Sequence, residues 1–161
     1  MTNGTTLKKT NSGKGNSRNN QSSDSDDLYN KELLKLANKG DCSLEQPDIS
    51  ITHDNPLCGD RITIDLVMEK DVIKSIGYKA RSCALCKASA QLLKEIAPGH
   101  NLDYLQKFYG ELKIHLKENR PLNFPNDWKS YGIFQPVGTI KNRHTCVLLP
   151  FEALVKIERK Y

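Results

Sequence analysis

Between Ile49 and Ala80 the apolar residues of this chain recur with a period of two, in three consecutive runs joined by short polar links. Ile49 and Ile51 alternate with polar neighbours. Ile62, Ile64, Leu66 and Met68 do the same over Arg61 to Glu69, and a third run fills Val72 to Ala80. Side chains of an extended strand point alternately to its two faces, so this period predicts strands with one buried face. Links this short connect antiparallel neighbours, because parallel ones need a crossover. The three runs therefore predict an antiparallel meander, with Cys58-Gly59-Asp60 in the first link and Glu69-Lys70-Asp71 in the second.

Beyond Arg81 the period becomes helical. Leu85, Ser89, Leu92 and Ile96 line one face of a predicted helix that Pro98-Gly99 ends. Leu102, Leu105, Tyr109, Leu112 and Leu116 line a second, from Asn101 to Glu118. Residues 119–145 contain Pro121, Pro125 and Pro136 and read as an ordered loop with one helical turn, anchored by Trp128, Tyr131 and Phe134. Leu148 to Tyr161 reads as a last helix, with Pro150 in its first turn, where a missing N–H is tolerated. Upstream, Leu28, Tyr29, Leu33, Leu34 and Leu36 predict a short helix stopped by Gly40. Helices gathered after a meander imply an α+β domain, a three-stranded sheet with helices packed on one face. That domain spans 28–161. Residues 1–27 are a tail of Asn, Ser, Thr, Gly and Lys, expected to be disordered because it has little apolar surface to offset its ordering entropy.

At 161 residues there is room for one ordinary domain. No apolar run approaches the about 18 residues of a membrane span, and no secretory h-region is visible, so the expected location is the cytoplasm. The net charge of +5 is spread along the chain with no basic stripe interleaved with aromatics, which argues against a nucleic-acid partner. The five cysteines are an odd number, and in a reducing compartment spaced cysteines serve metal binding or thiol chemistry rather than a disulfide framework.

Cys58 and Asp60 flank a glycine that lets the chain turn so that both side chains converge. Cys83 falls where the third strand hands over to a helix, and Cys146 just before the last helix. Helix N-termini favour thiolate over thiol. Three sulfurs and a carboxylate make a tetrahedral donor set for zinc, or for one end of an iron–sulfur cluster. Each cysteine alone reads rather as a small buried hydrophobe. The set with Asp60 does not, since carboxylates are seldom buried without a partner.

Asn55-Pro-Leu-Cys-Gly-Asp, Ser82-Cys83 followed by Lys87-Ala-Ser-Ala90, and Arg143-His-Thr-Cys146 together resemble the U-type iron–sulfur cluster assembly family (IscU, the NifU N-terminal region, SufU). The likeness runs from Leu28 to the C-terminus and implies the SufE/NifU-like fold. The long step from Cys83 to Cys146 resembles the SufU branch. The IscU branch has histidine before its last cysteine, where this chain has Thr145, with His144 one step earlier.

The resemblance implies Cys58, Asp60, Cys83 and Cys146 as metal ligands, with His144 left as an alternate or supporting group. It implies zinc as the metal, or iron or an iron–sulfur cluster in scaffold-type relatives, and Cys58 as acceptor of persulfide sulfur. The implied partners are a SufS-like cysteine desulfurase and other iron–sulfur assembly proteins, and the implied activity is that of a zinc-dependent sulfurtransferase. A carrier of a transient cluster and a zinc-stabilised interaction domain are the alternatives. Arg81, Lys87, Lys141 and Arg143 are placed to offset the negative charge. Cys86 departs from the family pattern and reads as a buried spacer, and Cys42 as an ordinary loop cysteine.

Overall fold

The computed structural model describes residues 29–157. The expected tail, Leu28 and residues 158–161 lie outside them. The meander forms as its period predicts: β1 (Ile49–Asn55), β2 (Asp60–Glu69) and β3 (Val72–Arg81) make one antiparallel sheet in the order β1-β2-β3. Ile51 lies opposite Ile64, and Ile64 opposite Tyr78. Asp60 does not sit in the link; it is the first residue of β2, paired with Asn55. Strand parity then decides where its side chain goes. Asp60 shares a face with Ile62, Ile64 and Leu66, all essentially inaccessible to solvent. Each such side chain contributes about 1.5–3 kcal/mol by burial, so the row that fixes the register also carries a carboxylate indoors.

Helices cover that face. α1 (Lys31–Ala37) packs on α2 (Ala84–Ile96), α2 on β3, and α4 (His144–Val155) on β1 and β2, while α3 (Leu102–Lys117) packs against α4. α1, at seven residues, is too short to persist alone, and Leu33 and Ala37 supply its packing. Asn101 caps α3, its side chain accepting the Tyr104 N–H at 2.8 Å. The buried stripe of α3 is Leu105, Phe108, Leu112 and Leu116, so Phe108 holds the place expected for Tyr109. The loop after α1 runs along the outer edge of β3: Cys42 pairs with Tyr78, and its carbonyl lies where a Cβ on Gly77 would stand.

Two expectations are corrected. Residues 119–145 hold far more than one turn: 3-10 turns run from Asn126 to Thr139 and resume over Lys141–Arg143. Trp128, Tyr131, Phe134 and Val137 recur every third residue and are all buried, which suits a helix of three residues per turn. The last helix begins at His144, not Leu148, because the Lys141–Arg143 turn feeds into it, and its helical residues end at Val155. Pro150 therefore lies in the second turn, and Cys146 inside the first turn rather than before it. Without an N–H, Pro150 leaves the Cys146 carbonyl with no helical donor.

Candidate metal centre

The ends of the three strands align at one edge of the sheet. Asn55 pairs with Asp60, and Arg61 with Arg81. The Cys58 turn and the β3–α2 connection bearing Cys83 leave from this edge, and the start of α4 is brought to it. Asn55 organises the convergence. Its carbonyl accepts the Gly59 N–H at 2.9 Å, and its Oδ1 accepts the Leu57 N–H at 3.1 Å, closing an Asx turn. Its Nδ2 donates to Thr145 Oγ1 at 3.0 Å, pinning the turn to the helix that carries Cys146. Gly59 has φ +72°, the left-handed region that glycine enters without strain.

As a result, one ligating atom each from Cys58, Asp60 and Cys146 lie within 4.8 Å of one another. Cys58 is exposed at the tip; Asp60 and Cys146 are buried. Cys83, the N-cap of α2, stands outside that group but lies against Cys146. The Cys146 S–H donates to the Cys83 sulfur and lowers the Cys83 pKa to about 6. Burial opposes this, and the backbone N–H groups of Cys86 and Leu85 assist it. The same bond pushes Cys146 far above the ordinary thiol value; burial and the Cys83 charge add to that, and a bond from Arg143 works against it. Burial raises Cys58; the Asp60 backbone N–H works against this, while the hydrogen bond to the Asp60 carboxylate and then its charge add to it. Of the four cations expected near the site, Arg143 hydrogen-bonds the Cys146 sulfur.

The decisive atom is Asp60 Oδ2. It is buried with no hydrogen-bond partner, one of two such side-chain atoms among the described residues. An unsatisfied buried carboxylate oxygen costs about 1–3 kcal/mol, and here the carboxylate that carries it adjoins two cysteines. Soft sulfur and hard oxygen donors converge there, a donor set that fits a metal.

The NifU-like N terminal domain family matches residues 30–117, more than half of the chain. This protein belongs to that family. It is 27% identical to the iron-sulfur cluster assembly scaffold protein IscU of Thermotoga maritima over 82% of this chain and 96% of the relative. It is 21% identical to the zinc-dependent sulfurtransferase SufU of Bacillus subtilis, over 81% and 89%. The crystal structure of a nitrogen-fixing NifU-like protein (N-terminal) from Brucella abortus superposes with a TM-score of 0.75 at 30% identity, covering 83% of this chain and 93% of that one. The expected fold and the U-type iron–sulfur assembly family are thereby established.

Within this NifU-like domain the match contains Cys58, Asp60, Cys83 and Cys86 but stops short of Cys146, whose place rests on geometry. His144 turns elsewhere: its Nε2 meets the Gly138 carbonyl at 3.1 Å and ties the 3-10 segment to α4. Cys86 is fully buried, and burial pushes its thiol up to about 12, so it packs as a neutral group. Cys42 bonds the sheet edge through its backbone. Sequence reasoning quoted Asn55 without giving it a role, although Asn before Pro at a strand end is a turn signal. It read Thr145 as a missing histidine, where the structure shows a hydroxyl anchoring the turn.

Proposed function

We propose that this U-type assembly protein is a sulfur acceptor built on a metal centre of Cys58, Asp60, Cys146 and Cys83. Cys58 takes persulfide sulfur from a SufS-like cysteine desulfurase, and other iron–sulfur assembly proteins receive it. The observation that carries the reading is the buried Asp60 carboxylate, its Oδ2 unpartnered, beside the Cys58 and Cys146 sulfurs. Zinc bound there supplies the positive charge that keeps the sulfurs as thiolates, and the name of the Bacillus relative speaks for zinc.

The chain's own residues do the rest. Cys58 is the exposed thiol of the cluster, on a turn that Asn55 and Gly59 hold open to a partner. Its thiolate attacks the outer sulfur of the desulfurase persulfide; the new S–S bond forms on Cys58, and the desulfurase cysteine leaves as thiolate. Arg143, at the Cys146 sulfur, offsets negative charge as it gathers.

The test adds this protein to a cysteine desulfurase and follows turnover. Wild type raises it and carries sulfur on Cys58. Equal stimulation by Cys58→Ala would remove the transfer reading. A second reading, a scaffold for a cluster as cargo, is favoured by the likeness to the Thermotoga scaffold protein. Anaerobic addition of iron and sulfide would then build a chromophore that Cys146→Ser abolishes.

A further inference from the structure

Cys86 takes no part in the metal centre, yet it stands one helical turn behind Cys83. Cys83 is the N-cap of α2, its carbonyl accepting the Lys87 N–H at 3.1 Å. Residues at i and i+3 of a helix have Cα atoms about 5 Å apart, within the span a disulfide bridges. Ser82, the residue before Cys83, hydrogen-bonds Cys86, and the charge of Cys83 reaches it. The two differ in access: Cys83 is half-buried, while Cys86 is fully buried. A dithiol with one reachable and one sheltered sulfur suits attack by the first and resolution by the second.

Persulfide sulfur is at the oxidation level of elemental sulfur, whereas an iron–sulfur cluster contains sulfide. Every sulfur atom handed on therefore needs two electrons. We propose that Cys83 and Cys86 supply them, reducing the sulfur accepted at Cys58 and releasing it as sulfide. This rests on the sulfur-acceptor reading of Cys58 and adds an activity to it. The Cys83 thiolate attacks the outer sulfur of the Cys58 persulfide, and Cys58 leaves as thiolate. Cys86 then attacks the inner sulfur of the Cys83 persulfide. The Cys83–Cys86 bond forms, the persulfide S–S bond breaks, and hydrosulfide leaves, taking up the Cys86 proton as hydrogen sulfide. The dithiol loses two electrons to become a disulfide, and the transferred sulfur gains them. One turnover needs no other reductant; resetting the disulfide needs an external dithiol.

The experiment is a single anaerobic turnover without added reductant. The full chain is mixed with a cysteine desulfurase that carries radiolabelled persulfide and has been freed of cysteine. Wild type is expected to release labelled sulfide and to gain a disulfide that peptide mapping places between Cys83 and Cys86. Cys86→Ser is expected to hold the label as persulfide and to lose sulfide release. The wild-type peptide map stands whether or not that variant folds. Label retained as persulfide on wild type, a Cys83–Cys146 disulfide instead, or undiminished release by a folded Cys86→Ser would each overturn the reductive step alone. Failure of any label to reach Cys58 would overturn the acceptor reading, and this inference with it.

Discussion

Asp60 is placed by strand parity and its Oδ2 is left without a hydrogen-bond partner, so its effect on stability changes sign with the metal. In chelator-treated protein, Asp60→Ala removes a buried oxygen that has no partner and should be neutral to stabilising, by up to about 1–3 kcal/mol. In metal-loaded protein it removes a ligand and should destabilise. Thermal unfolding of both variants with and without chelator reads the crossover. Cys83 gives a second, independent test at the same scale. Its folded pKa, about 6, lies below the ordinary thiol value, because Cys146 donates to its sulfur. Between that value and about 8.5 the unfolded chain binds the extra proton. Stability of the metal-free protein should therefore rise with pH across this window and be lost as pH falls through about 6. The ultraviolet absorbance of thiolate should titrate in step, and Cys146→Ala should move the midpoint upward.

At the scale of elements, the site depends on how a turn, a strand end and two helix starts meet. Asn55→Ala would break the Asx turn and strand the Thr145 hydroxyl, costing about 1–2 kcal/mol by urea denaturation and weakening metal binding in a competition titration. Ser89, whose Oγ donates to the Val147 carbonyl at 2.6 Å, ties α2 to α4 beside Cys146, and Tyr131 bonds the Ser89 carbonyl at 2.8 Å. Phe108 belongs to a different part of the core. It stacks on Trp128 at 3.9 Å and meets Phe124, Tyr131 and Phe151, none of them a ligand. Phe108→Ala should cost about 3–5 kcal/mol in urea denaturation and leave metal affinity in the folded protein unchanged.

The whole molecule shows which of these relations a sequence can carry. The meander was legible because a period of two has a single structural meaning over three successive runs. α2 and α3 followed from a period near 3.6 with clear stops at both ends. The 3-10 segment was also written in the chain, as Trp128, Tyr131, Phe134 and Val137 at every third position, but Pro121 and Pro125 before it and Pro136 within it made it read as loop. The start of α4 was misplaced because Pro150 suggested a first turn, when contacts such as His144 to Gly138 begin the helix earlier. The candidate ligands could be named from residue type and motif. Their arrangement could not, since the Asn55–Thr145 bond and the Cys83–Cys146 contact join residues remote in the chain. The absence of any helix among the described residues long and apolar enough to cross a membrane agrees with the hydropathy of the sequence.

The central claim is that Cys58, Asp60 and Cys146, with Cys83 beside them, form one metal centre. Native mass spectrometry of the full chain isolated without air, paired with an inorganic sulfide assay, tests it most directly. The account predicts one zinc ion per chain and no sulfide, with the metal lost from Asp60→Ala and Cys146→Ser. A wild-type protein isolated metal-free, or metal retained undiminished by both variants, would contradict it.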